Sequence, residues 1–143
     1  MIIMKSMYQT IKGNRDKYRD CEIEVDPIYK EHTTNRVYPK GCFDKSWDYI
    51  SMKIHLPEVK LIHGSCLAID RIRIHHAWIE IGPDIVFESV FQRFYDRGKY
   101  YAARNLIKHF EYDFGETMKW SLEYKHKGPW QFPEQRSCFD FIL

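Results

Sequence analysis

The sequence predicts an α+β domain in which an amphipathic helix packs on an antiparallel sheet. Three observations carry this expectation. Ile72 to Ile81 and Ile85 to Ser89 are β-branched and aromatic runs flanking Gly82-Pro83-Asp84, a short loop-former, and read together as a hairpin. Phe43, Trp47, Ile50 and Ile54 recur at steps of four, three and four, which is the spacing of one helical face. Val59 to Leu67, between helix and hairpin, reads as a further strand. At 143 residues the chain fits a single domain, 1 to 143, able to bury a core without staples.

Along the chain, residues 1 to 20 set Lys5, Lys12, Arg15, Lys17 and Arg19 around Gly13-Asn14 with few apolar positions, and read as a weakly specified arm. Cys21 to Val25 alternates as a short strand and stops at Asp26-Pro27. Pro39-Lys40-Gly41 is a breaker cluster, so Cys42 opens the helix, with Asp44 in the first turn, where a carboxylate suits the helix dipole, and Pro57 marking the end. Within the next strand Gly64 marks a bulge or a close approach of backbone. Ile69-Asp70-Arg71 reads as a turn into the hairpin. Val90 to Tyr95 is apolar and aromatic, Arg97-Gly98 breaks it, Tyr100 to Ile107 reads as helix, His109 to Tyr112 as a short strand and Phe114 to Tyr124 as helix. Gly128-Pro129 ends that helix, and residues 131 to 143 form a tail without pattern. The expected core spans about 41 to 130.

Composition narrows the function classes. Apolar residues at 44% and charged residues at 29% describe a folded, soluble chain, and the 16% aromatic share supplies large rings to fill a small core. A net charge of +2, from 22 basic residues dispersed among 20 acidic ones, provides no concentrated basic face for phosphate, which argues against a nucleic-acid partner. No apolar run approaches the roughly 18 residues of a membrane span, and the first residues lack a secretory signal, so a cytoplasmic location is expected. The cysteines at 21, 42, 66 and 138 form no Cys-x-x-Cys pair, and free thiols are expected in a reducing compartment.

The candidate chemistry follows from strand register. With Ile81 opposite Ile85, Trp78 opposes Glu88, and Glu88 lies on the face of His76, on the diagonal and within side-chain reach. A slip of one residue would send Glu88 to the other face. Cys42, at a helix N-terminus, has backbone N–H groups to stabilise a thiolate and lower its pKa from roughly 8.5. A thiolate is an attacking species, an imidazole takes and returns a proton near neutral pH, and a carboxylate fixes its tautomer and steadies the imidazolium. Cys42, His76 and Glu88 are therefore the catalytic candidates. His75 faces the other side and is the second choice of base. Cys66, in mid-strand, is the second choice of thiol. Glu80 is expected exposed or paired with Arg71 or Arg73. His63, Cys66, His75 and His76 alternate across the sheet, which disfavours one compact zinc site, so no metal and no cofactor is expected.

Gly41-Cys42, then His76-Ala77-Trp78-Ile79-Glu80-Ile81, then Ile85-Val86-Phe87-Glu88 resemble the transglutaminase-like cysteine enzymes of the papain-like superfamily, and in particular small bacterial and phage proteins of that kind. The similarity continues through Tyr100-Tyr101 to Gly128-Pro129-Trp130. It implies a papain-like or transglutaminase-like core and a thiol hydrolase acting on amides, either a peptidase or a glutamine deamidase or transglutaminase-like enzyme, with a protein or peptide substrate. The family places an aspartate where this chain has Glu88, which supports an alternative: a catalytically inactive member that binds or inhibits a host protein target. The backbone N–H of Cys42 is an expected oxyanion donor, with Asn35 and Tyr38 as side-chain candidates beside the substrate. Trp78 and Trp130 are candidates for substrate contact, Trp130 also reading as a ring that caps the core.

Overall fold

The computed structural model describes residues 6–67 and 71–132. The turn expected at 69–71 and the tail from 133 onward lie largely or wholly outside them. The described residues form a five-stranded antiparallel sheet with five α-helices. In chain order these are α1 (Met7–Asp16), α2 (Pro27–Lys30), α3 (Cys42–Ser51), β1 (Val59–Leu67), β2 (Arg73–Ile81), β3 (Ile85–Glu88), β4 (Arg93–Asp96), α4 (Arg97–Arg104), β5 (Ile107–Tyr112) and α5 (Phe114–Tyr124). The strands stand in the order β4-β3-β2-β1-β5.

Strand alternation divides the core into two layers. Phe43 of α3 packs its ring 4.9 Å from that of His63, and Tyr49 lies 4.5 Å from Phe87, so α3 covers the face bearing Leu61, His63, Ala77, Ile79 and Phe87. Trp120 of α5 joins the same side, beside Tyr112 and Trp130. On the opposite face Trp78 meets Tyr101 of α4 edge to face, Tyr100 of α4 stacks on Tyr95, and Tyr18, just after α1, meets Tyr100. The aromatic share is thus spent on core packing in both layers.

Sequence and structure part at several places. The expected N-terminal arm holds α1, started by a capping box between Ser6 and Gln9, and it buries Ile11, Asn14 and Arg15. The Arg15 guanidinium donates to the Phe91 and Asn35 carbonyls, an attachment no local pattern reveals. The strand expected at 21–25 is a 3-10 turn, Arg19–Cys21, followed by a single bridge from Glu22 to Tyr95. Arg97-Gly98 does not break the chain. Asp96 accepts a hydrogen bond from the Lys99 N–H at 2.9 Å and caps α4, which places Gly98 inside its first turn. That helix ends at Arg104 because Asn105 turns left-handed at φ 51°, and Ile107 belongs to β5 instead.

Gly64 is a close approach, as expected, and the β1–β5 register shifts at His63/Gly64. A Cβ there would collide with the Ile107 carbonyl oxygen and lie 2.5 Å from Trp78 Cη2. Gly64→Ala should therefore lower stability by about 3 kcal/mol, the upper end of an overpacking penalty, because backbone and a fully buried indole would both have to move. Urea denaturation of the variant checks this, and a change within about 0.5 kcal/mol would contradict it.

Candidate active site

Ile81 pairs with Ile85, Glu80 with Val86 and Ile79 with Phe87, which is the register the loop Gly82-Pro83-Asp84 dictates. The consequence is the expected one: His76 Nε2 and Glu88 Oε1 are 2.5 Å apart, both residues fully buried. Glu88 Oε1 also accepts from the Tyr100 hydroxyl at 3.1 Å and from Arg104 Nη1 at 3.4 Å, and Oε2 accepts from the Val90 N–H at 3.2 Å. Burial alone would raise the Glu88 carboxyl, but the His76 ring, Arg104 and the Val90 N–H outweigh it and hold the group below the usual carboxylate range. The same cluster keeps the Arg104 guanidinium charged against its desolvation, with Tyr100, Cys66 and Glu88 each favouring the cation. Burial pushes the Tyr100 hydroxyl well above its ordinary value and raises the Cys66 thiol, although Arg104 Nη2 lies 3.5 Å from that sulfur.

The second imidazole nitrogen, His76 Nδ1, is buried and has no hydrogen-bond partner among the described residues. The Cys42 sulfur is accordingly not hydrogen-bonded to it. Cys42 is the first residue of α3 and is fully buried. Its carbonyl accepts from the Ser89 hydroxyl at 3.4 Å, and Ser46 and Ser89 share a 2.8 Å hydrogen bond, so the start of α3 is tied to the residue following Glu88. Alternation nevertheless places His76 and Glu88 on the α4 face, whereas α3 covers the other. Cys42 is also one half of a disulfide whose other half is not among the described residues, while Cys21 and Cys66 are free. The expectation of free thiols therefore fails at Cys42, since spacing in sequence does not disclose which sulfurs meet in space.

His75 lies by alternation on the α3 side and stacks on Phe132, ring centroids 3.8 Å apart. Trp78 is fully buried over Gly64, and Trp130 is buried against His63 and Trp120, so both serve the core instead of presenting a surface to a substrate. Asn35 is exposed and lines a cleft of about 410 Å³ with Glu22, Arg93 and Phe94. Tyr38 is half-buried beneath the Lys45 ammonium and lines a second cleft with Trp47 and Met52. Glu80 is the clearest correction. It is 4% exposed, accepts from Lys108 Nζ at 2.7 Å, from the Trp78 indole at 3.2 Å and from the Tyr101 hydroxyl, and pairs with Arg97 at 3.4 Å. Lys108 and Arg97 come from β5 and α4, beyond the reach of a reading confined to the hairpin. Arg104 and Tyr100 were missed too, although a carboxylate placed on a buried strand face demands a cation, and Arg104 sits one helical turn after Tyr100.

Comparison with protein-family models, curated proteins and solved structures gives no match.

Arg104→Ala removes the cation from a carboxylate with no solvent exposure, and should cost about 3 to 5 kcal/mol in urea denaturation. Acid should have a matching effect on the native protein. Because the folded Glu88 carboxyl lies below its unfolded value of about 4.3, its contribution is complete above that pH and disappears as pH falls through the lower, folded value. A stability curve for Glu88→Gln should be flatter than the parent's below about pH 4.3.

Proposed function

We propose that the chain is a thiol hydrolase acting on amides, built on a papain-like core of the transglutaminase type, with Cys42 as nucleophile, His76 as base and Glu88 as the group that orients the base. The observation supporting it is the His76–Glu88 hydrogen bond, which engages Nε2 and leaves Nδ1 buried with no partner among the described residues. An orphaned ring nitrogen in a dry interior is costly, and a thiol is the partner this chemistry supplies.

In the reaction, the Cys42 thiol gives its proton to Nδ1 and the sulfur attacks the carbonyl carbon of a peptide or glutamine side-chain amide. Glu88 stabilises the imidazolium. The ring then returns the proton to the departing amine or ammonia, leaving a thioester. Water, deprotonated by His76, hydrolyses the thioester and regenerates the thiol. This reading requires two changes from the state described: a dithiol must reduce the Cys42 disulfide, and the start of α3, which covers the opposite face of the sheet, must move with the chain near Ser89 so that the sulfur meets Nδ1.

A second reading is favoured by a different observation. Cys42, His76, Glu88 and Tyr100 are all fully buried, and Arg104 with Tyr100 completes the bonding of the carboxylate without a substrate. On this reading the cluster is a structural core and the chain acts as a binding protein.

Alkylation separates the two. After reduction, iodoacetamide near pH 6 (roughly two to three units below a free thiol pKa) should label Cys42 fastest, the preference should vanish in His76→Ala, and His75→Ala should retain it. Uniformly slow labelling of all cysteines would refute the enzyme reading.

A further inference from the structure

His63 stands apart from the cluster just described. It is fully buried on β1, and among the described residues neither ring nitrogen has a hydrogen-bond partner. Three rings enclose it: Phe43 from the first turn of α3 at 4.9 Å, Tyr112 at the end of β5 at 5.0 Å, and Trp130 at 5.0 Å. The backbone closes the remaining side, since a Cβ on Gly128 would stand 2.8 Å from His63 Cε1. The segment that forms this lid is bonded to itself, with the Trp130 indole donating to the His126 carbonyl at 2.9 Å and the Gly128 N–H to His126 Nδ1 at 3.0 Å.

We propose that His63 is an acid-sensitive keystone of the corner where the first turn of α3, the end of β5 and the 126–130 segment meet, so that a falling pH opens this corner. Among the described residues the enclosure offers an imidazolium no acceptor. Its titratable neighbours are His75 from β2, His126 from the lid and Tyr112 from β5, whose hydroxyl is committed to Gln131, while α3 contributes the apolar Phe43. Among the described residues no carboxylate joins them. Burial, reinforced by His126 and His75, holds the folded ring down to about 3, against 6.5 in the open chain. Below 6.5 the open form therefore gains a proton that the closed form refuses, and opening is favoured by up to about tenfold per pH unit until the lower value is reached. Because Phe43 adjoins Cys42, opening would also loosen the start of α3. The inference holds whether or not Cys42 is a nucleophile.

Urea unfolding of the intact chain at about pH 7 and about pH 5 tests it, above the range where Glu88 titrates. His63 should raise the unfolding constant of the native protein about 25-fold between the two, a figure that follows from the two imidazole values by linkage. His63→Phe, and His63→Leu should the larger ring not fit, should lose most of that rise. An equal rise in a folded variant would overturn the proposal. So would NMR of the unmodified protein showing the His63 ring titrating near 6.5 with native structure intact, a result that needs no variant.

Discussion

A carboxylate without access to water stays ionised only where the fold brings it a cation and donors, and Glu88 is the place where this chain meets that demand. Its partners come from three elements: His76 from the neighbouring strand, Val90 from the turn that follows, and Tyr100 with Arg104 from α4. None of them can shift without leaving a buried charge uncompensated, and for that reason hairpin register, the 89–92 turn and the seat of α4 are fixed together. A neighbouring carboxylate repeats the pattern on the same face: Glu80 is bound by Lys108 of β5 and Arg97 of α4, joined to the first through the Trp78 ring. The α4 face is therefore a polar network embedded among aromatic rings.

The opposite face is different in kind. It is closed by rings and carries His63, whose ring nitrogens have no hydrogen-bond partner among the described residues. The carboxylate is held charged by its partners and the imidazole is held neutral by its enclosure, and as pH falls His63 should respond first, from about 6.5, with Glu88 joining only below about 4.3. Cys42 belongs to the His63 side through α3 while its carbonyl is tied to Ser89, the residue after Glu88, so it sits at the junction between the two faces.

Much of this was legible in the chain. The hairpin loop, its register and the meeting of His76 with Glu88 follow from alternation about Gly82-Pro83-Asp84, and Phe114–Tyr124 carries its own capping signal at Asp113 and Glu116. The long-range partners were not legible. Arg15 reaching Phe91, Arg104 reaching Glu88 and Lys108 reaching Glu80 link residues 76, 16 and 28 positions apart, and local periodicity carries no information about such contacts. The α1 segment was missed because its apolar face is short, Met7, Tyr8 and Ile11, and is supplemented by the Ser6–Gln9 cap and by Arg15 buried in tertiary structure. The face of the sheet that α3 would choose was equally hidden, since a helix of that pattern packs as well on either side.

The central functional claim is that His76 Nδ1 is the nitrogen that receives the Cys42 proton. A crystal structure of the reduced protein tests it most directly. The account predicts the Cys42 sulfur within about 4 Å of Nδ1, close enough for a hydrogen bond that tightens with substrate, and a separation beyond about 5 Å with the sulfur reduced would contradict it.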